Sequence, residues 1–531
     1  MTRRIRAVAA AASVAAAASL AAPTPASAHA LVVRSDLPIP VWLFAWGASL
    51  VLIISFFILG FAWHRTRFEK GGWRRVAPRL SRFLFSPPVR AFCAPLGVLL
   101  LGFSIRSGIH GTTLPGLNFA ITFLFVTAWL GLVLLSVAFG DVFRAVNPWS
   151  AIARAFRAFV RLLSGQEPQA PLRYPQRLGR WPAAVGVALF IWLELVSAAG
   201  SPAGVQPRTA AIAALLYSAY TLAAMGLFGI EKWLDNGEAF SVYFGMFSRL
   251  SAIEARGNQL GLRRPLSATT KWMRVPGSLA VVVVTIGGTT FDGAQEGVLS
   301  SPIQSLYNRL VDLGLSSGFA IRLDETAWLL VMLGAVAGLY WLGVIGMQLV
   351  RSSPGARKLA TEFAHTLIPI GLAYVTAHYF SIFVYQEQAQ FTYLLSDPLG
   401  NGSNYFGTVT SGVDYGVLTA TAIWYVQVAA LLIGHVLGLT LAHDRAISTY
   451  GDSRLASLSQ RWMLMVMVSS PAWACSCSRS RTRERLDDRS DAACAARAPS
   501  PLVLPSALCR ADRSHPLHGD SRDLAAAPSG P

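Results

Sequence analysis

Charged residues are scarce in this chain: Asp, Glu, Lys and Arg make up 14% of the 531 residues, against about 25% in a soluble globular protein. Cysteine is scarce as well, with five residues, four of them after residue 470, which excludes a small secreted scaffold held by disulfides. Disorder is excluded for most of the chain, because disordered chains are rich in charge whereas 53% of these residues are hydrophobic. The composition therefore indicates a polytopic membrane protein.

Several motifs of soluble enzymes are also absent from the sequence. It contains no Walker phosphate-binding loop, no HExxH zinc motif and no dinucleotide fingerprint with an acidic partner. The loops between the apolar runs are too short for a separate catalytic domain. Any chemistry must therefore use groups inside the membrane or at its outer surface.

Residues 1–28 have the three parts of a secretory signal peptide. Three arginines lie among the first six residues, an alanine-rich apolar stretch follows, and the Ala-Ser-Ala sequence that ends at Ala28 fits the small-x-small cleavage rule. Cleavage after Ala28 makes His29 the mature amino terminus. Cleavage after Ala30 fits the same rule, so both sites remain open.

Nine apolar runs are each predicted to form a membrane-spanning helix, which needs about 20 residues. They are 41–63, 91–105, 117–140, 182–200, 209–230, 277–291, 327–350, 363–385 and 416–442. The two short runs, 91–105 and 277–291, are expected to recruit polar neighbours such as Ser107 and Thr290. A tenth helix begins at Trp462. We therefore predict an all-α polytopic bundle of nine or ten transmembrane helices over residues 29–468, in contact with the lipid bilayer.

The positions of the basic residues predict the orientation. Every second loop is basic: 64–90, 141–181, 231–275, 351–362 and 443–461. These loops hold 28 of the 45 Lys and Arg residues, and the loops on the other side hold five. Basic loops remain in the cytoplasm, so we expect a plasma-membrane protein with its mature amino terminus outside. The net charge of +18 then reflects topology, and no nucleic-acid partner is expected.

One basic loop contains a predicted amphipathic helix over residues 148–163. Phe156 and Phe159 recur with other apolar residues at helical spacing, and three arginines line another face. Two interpretations remain: a helix on the inner leaflet, or a helix packed on neighbouring loops.

Residues 469–531 do not resemble the preceding chain. The apolar run from Trp462 to Val468 covers about 10 Å, a third of the hydrocarbon core, and is followed by a sequence rich in Arg, Ala, Pro and Ser. We interpret this segment as an aberrant, disordered tail produced by a shift of reading frame. Its cysteines and histidines match no zinc-ligand spacing.

Ionisable residues inside membrane spans are costly, so each is a candidate functional group. Glu194, Asp292 and His378 lie near the outer ends of three predicted spans, and His29 would lie on an outer arm long enough to reach them. Imidazole and carboxylate ligands suit divalent metals such as zinc or copper. These residues predict an outer-leaflet site that holds a divalent metal; a purely structural polar network is the alternative.

A second candidate pair lies toward the inner face. His365 opens one predicted span and His435 lies near the inner end of an antiparallel one, so the two rings are expected at similar depths, where they can face each other. The alternative is that each imidazole bonds to a carbonyl or hydroxyl of a neighbouring helix.

Six segments resemble a family of actinobacterial polytopic membrane proteins that are labelled fenitrothion hydrolase. They are 28–56, 139–154 (FGDVFRAVNPWSAIAR), 289–293 (TTFDG), 365–386, 396–408 (SDPLGNGSNYFGT) and 423–446. The resemblance covers most of residues 28–468. It implies hydrolysis of an organophosphorus ester but carries no assignment of catalytic residues.

Three functions fit these observations. A membrane hydrolase would use a metal-activated hydroxide on a small-molecule ester. A transporter would use the same buried groups as a proton or substrate path, although no repeat of broken helices is evident in the sequence. A metal-handling or electron-transfer protein would use the intramembrane histidines as ligands.

Overall fold

The structure is a computed structural model that describes residues 41–466, apart from 70, 202–203, 273–274, 296 and 351–352. The predicted signal peptide, His29 and the tail 469–531 lie outside the described residues.

The described chain is mostly helical. Its helices are α1 (Val41–Ala62), α2 (Pro78–Leu84), α3 (Pro87–His110), α4 (Phe119–Phe139), α5 (Phe143–Val146), α6 (Pro148–Ser164), α7 (Trp181–Leu195), α8 (Pro207–Phe228), α9 (Ile230–Asn236), α10 (Ala239–Ser248), α11 (Thr269–Trp272), α12 (Ser278–Gln295), α13 (Ser300–Asp312), α14 (Ser317–Met347), α15 (Ala356–Phe363), α16 (Ile368–Phe391), α17 (Tyr393–Ser396), α18 (Ala420–Tyr450) and α19 (453–466). The strands are β1 (Trp73–Arg75), β2 (Ile253–Arg256) and β3 (Gln259–Arg263).

Six segments of the described chain are long and apolar enough to cross a membrane: α3, α4, α8, α14, α18, and the run Ala356–Ser396 that contains α16. Nine spans were predicted. Helices also lie at the other three predicted spans, where α1, α7 and α12 are found, but these do not belong to the six. Among them, α12 is the most enclosed: Val281 and Val282 are fully buried. A helix that is apolar on all sides is expected at the centre of a bundle.

Helix α14 begins ten residues before the predicted span 327–350, at Ser317. The predicted span excludes Arg322, Asp324 and Glu325, because charged residues normally lie outside a membrane span. The structure continues the helix through all three residues, and Asp324 and Glu325 are buried within it.

A small sheet departs from the all-α prediction. Strand β3 pairs antiparallel with both β1 and β2, in the order β1-β3-β2. The Trp73 ring covers Gly261, where a Cβ atom would lie 2.1 Å from the indole, and its Nε1 donates to the carbonyl of Glu254 over 3.2 Å. The sheet therefore joins two basic loops that are far apart in sequence.

Helix α10 is a second feature that was predicted to be loop. It lies within the basic loop 231–275, yet eight of its ten residues are buried. Tyr243 stacks on Trp129 of α4, with ring centroids 4.0 Å apart. A fully buried carboxylate begins the helix, since Glu238 accepts from the backbone N–H of Phe240 and Ser241. This apolar segment therefore packs into the bundle.

Helices α16 and α18 pack closely through two glycines. A Cβ atom on Gly434 would lie 2.3 Å from the Ala373 Cβ, and one on Gly438 would lie 2.9 Å from the Thr366 carbonyl. Glycines four residues apart let two membrane helices approach at this distance.

The two ends of the bundle differ in chemistry. The basic loops meet at one end, here named the basic end, where the sheet forms and Asp444 of α18 accepts from the backbone N–H groups of Arg67 and Phe68. At the opposite end, the Ser107 hydroxyl of α3 donates to the Pro398 carbonyl, and the Thr112 N–H donates to the Leu399 carbonyl. This last contact ties the loop 397–419 to the end of α3.

Helix α6 corresponds to the predicted amphipathic helix. Asn147 caps it by accepting from the N–H of Ser150 over 2.8 Å, and Gly165 ends it in the left-handed conformation. Phe156 and Phe159 are exposed. The predicted contact of this face with the inner leaflet remains a prediction.

Candidate functional site

An intramembrane carboxylate joins the two helices α12 and α16. Asp292 Oδ2 lies 2.9 Å from His378 Nε2 and accepts a hydrogen bond from the Tyr379 hydroxyl over 2.7 Å. The imidazole and phenol rings meet edge to face, with centroids 4.6 Å apart. Three titratable groups thus share one hydrogen-bonded cluster, which we name the Asp292 network.

The local sequence lets the His378 ring approach α12. The residue after Asp292 is Gly293, and a Cβ atom there would lie 3.5 Å from the His378 Nδ1 and Cε1 atoms. A longer side chain at this position would extend into the space beside the ring. The His378 ring therefore lies in van der Waals range of the α12 backbone at Gly293.

Two further groups surround the network. Glu194 of α7 is close enough to Asp292 and to Tyr379 for electrostatic interaction. Tyr243 of α10 interacts with Glu194 in the same way, and its hydroxyl is buried without a hydrogen-bond partner among the described residues. Four helices therefore contribute a titratable side chain to one region.

The network lies deep in the bundle. His378, Asp292 and Glu194 are about 15, 21 and 20 Å along their helices from the basic end, at 1.5 Å per residue. The hydrocarbon core is about 30 Å thick, so at this distance from the basic end these groups lie near its middle or in the half away from the basic end. The side chains of His378 and Asp292 are 32% and 25% exposed, so the protein does not fully enclose them.

The arrangement suits proton transfer. An ionised Asp292 accepts a hydrogen bond from an imidazole N–H, and a protonated carboxyl group can donate one to an unprotonated ring nitrogen. Histidine gains and loses its proton near neutral pH. The cluster can therefore hold a proton and release it without large movement of the helices.

The predicted metal centre is not assembled in the described residues. The structure brings Glu194, Asp292 and His378 into one neighbourhood, but nowhere in the part of the chain that it describes do three His, Cys, Asp or Glu side chains group closely enough to hold a metal ion. The predicted fourth ligand, His29, lies outside the described residues.

The inner histidines occupy separate environments. His365 Nδ1 bonds to the Glu362 carbonyl over 2.8 Å, and its charged neighbour is Arg445. His435 Nδ1 bonds to the Leu431 carbonyl over 2.7 Å, and its ring lies beside Tyr374. The close approaches at Gly434 and Gly438 place His365 near the level of residue 442 of α18. His435 lies seven residues before that level, so the two rings do not face each other at one depth as predicted.

Sequence reasoning missed how much of the basic end is organised by Asp444. Its carboxylate accepts from the Trp63 indole N–H over 3.0 Å and from the backbone N–H of Arg67 and Phe68 over 2.7 and 3.0 Å. The neighbouring His443 Nε2 bonds to the Trp63 carbonyl over 3.2 Å. Asp444 falls in the predicted loop 443–461, but it belongs to α18 and is 2% exposed.

An exposed ion-pair cluster lies elsewhere at the basic end. Arg144 and Arg154 both contact the Glu231 carboxylate, at 2.5 and 2.8 Å. Partial burial opposes ionisation of Glu231, but the hydrogen bonds from Arg154 and Arg144 outweigh it and lower the pKa of this carboxyl below 4.5. The cluster joins α6 to α9.

The fold defines the protein as a multi-pass helix bundle whose composition fits a membrane protein. The chain matches no family model, no curated protein and no solved structure.

Proposed function

We propose that this protein is a membrane transporter that moves protons through the Asp292 network. The observation that carries the proposal is the contact of one carboxylate oxygen with both His378 and Tyr379 in the middle of the bundle. Ionisable groups at this depth mark ion or proton paths in membrane proteins. Glu194 and Tyr243 supply further groups along the same path.

Irregular segments in two of the bundle helices support transport. The middle of α4, Phe123–Gly131, is π-helical, and the chain that leads into α16 passes through a 3-10 segment at Ala364–Leu367. Helix irregularities of these kinds occur at functional sites and in the broken helices of transporters. The sequence alone did not indicate either of them.

Proton flux into proteoliposomes tests the proposal. A potassium gradient with valinomycin sets the membrane potential, and a trapped pH dye reports proton entry. We expect flux in the wild type and a loss of about tenfold or more in His378→Gln and Asp292→Asn, since either change removes a group that accepts the proton. His435→Gln is the matched control, because it removes an intramembrane imidazole that lies outside the network. Equal flux in all four proteins would reject the proposal.

The second candidate is the organophosphorus ester hydrolase that the family resemblance implies. It is favoured by the contact between Asp292 and His378, since a carboxylate that orients an imidazole is the arrangement of a general base. The purified protein, with and without added divalent metal, is incubated with a chromogenic aryl phosphotriester. Turnover that disappears in His378→Ala would favour the hydrolase over the transporter.

A further inference from the structure

Helix α14 carries two consecutive buried acids that lie apart from the Asp292 network. Asp324 and Glu325 follow Ser317 by about 10 to 12 Å along the helix, inside a segment apolar enough to span a membrane. Asp324 is fully buried and Glu325 is 8% exposed. Both oxygens of Asp324 and Oε2 of Glu325 make no hydrogen bond of normal geometry among the described residues. The indole N–H of Trp328, one helical turn further along α14, is the polar group that interacts with Asp324, without normal hydrogen-bond geometry.

Ionised carboxylates would be costly here. A buried charge needs a counter-ion or several hydrogen bonds, and within the described ranges neither acid takes part in an ion pair; the ion pairs of the described residues involve other acids. The charged group that acts on Glu325 is Asp324 itself, which repels it. Binding of a cation, either a metal ion or a proton, would remove this cost.

The available oxygens favour a proton over a metal ion. Calcium needs six to eight oxygen ligands and magnesium needs an octahedron, whereas the pair supplies three carboxylate oxygens that make no hydrogen bond of normal geometry among the described residues. Consecutive helical residues also point about 100° apart, so the two carboxyl groups diverge. A proton needs a single oxygen. We propose that Asp324 and Glu325 form a second proton-binding site, independent of the Asp292 network.

A cavity of about 680 Å³ lies beside α14, close to this site. Ile321 and Arg322 line it, and Glu325 follows them by four and three residues, on the same face of α14. Trp192 of α7 also lines the cavity, and its indole N–H donates to the Thr326 hydroxyl over 2.9 Å. The pair therefore begins one helical turn below the cavity.

The site is tested with dicyclohexylcarbodiimide, an apolar reagent that modifies protonated carboxyl groups in membranes. The carboxyl proton moves to a carbodiimide nitrogen, the carboxylate oxygen adds to the central carbon, and the adduct rearranges to a stable acylurea, so no further reactant is needed. Peptide mass spectrometry of the wild-type protein in lipid vesicles should find the adduct at residue 324 or 325. Glu231 is the internal control: it pairs with arginines and should remain unmodified.

Two results would overturn the proposal: no adduct at either acid, or an adduct that excess sodium or magnesium chloride prevents, which would assign the site to a metal cation. Thermal unfolding gives a second measurement that does not depend on access of the reagent. The midpoints of the wild type and of Asp324→Asn should respond equally to either salt, because a protonated acid binds no metal. A midpoint that either salt raises in the wild type alone would contradict a proton site. Loss of proton flux in His378→Gln bears on the proposed function and not on this pair.

Discussion

Asp292 Oδ2 lies 2.9 Å from His378 Nε2, although the two residues are 86 positions apart in the chain. The contact fixes α12 against α16 at mid-depth in the bundle. It also places a titratable pair where an unpaired charge would be costly.

Removing the carboxylate should destabilise the fold. Asp292→Ala deletes the acceptor of the bonds from His378 and Tyr379, and we expect a loss of about 1–3 kcal/mol. Asp292→Asn keeps an acceptor oxygen and should cost less. Thermal unfolding in detergent checks this order, with Asp312→Ala at an exposed site as the control. Equal effects of Asp292→Ala and the control would contradict the assigned contacts.

Asp444 should determine the stability of the basic end. Asp444→Ala removes the acceptor of three hydrogen bonds from residues 63–68, so we expect a loss of about 3 kcal/mol. Hydrogen exchange at the backbone amides of Arg67 and Phe68 should become faster. Glu167→Ala, at an exposed ion pair, is the control. Unchanged protection of both amides would show that another contact holds this loop.

The α16–α18 contact should not tolerate a methyl group at Gly434. The added Cβ would lie 2.3 Å from the Ala373 Cβ, and the strain of overpacking costs about 1–3 kcal/mol. Gly338→Ala in α14 is the matched control, since nothing lies within 4 Å of its Cβ position. Size-exclusion profiles after heating compare the two variants. A Gly434→Ala protein as stable as the control would mean that the helices are farther apart.

The charge asymmetry predicts the orientation. An epitope tag inserted at Asn258, in the turn between β2 and β3, should be cytoplasmic, whereas a tag at Gly412 should be external. The segment 386–415 contains no Lys or Arg. Antibody labelling of intact and permeabilised cells distinguishes the two sides. Labelling of the Asn258 tag on intact cells would reverse the map.

Hydropathy located the main helices, because an apolar run of about 20 residues is typical of a membrane-spanning helix. The sheet was not predictable: Trp73–Arg75 pairs with residues 261–263, and strands this short have little periodicity. The sequence did not predict that the acids of α14 are buried, because the predicted span begins after these charged residues. The positions of Asp292 and His378 along their predicted spans indicated that both lie at a similar depth. Whether the two side chains touch depends on how the helices rotate and pack, which the sequence does not show. Tyr379 could have been suspected, since it follows His378 directly.

The central claim is that the Asp292 network gains and loses a proton. Infrared difference spectra of the protein in lipid vesicles, recorded between acidic and alkaline buffers, report carboxyl and imidazole protonation directly. We expect a carboxyl or imidazole band in the wild type that is lost or shifted in both Asp292→Asn and His378→Gln and kept in His435→Gln. Spectra that are identical in the wild type and in the two network variants would contradict the account.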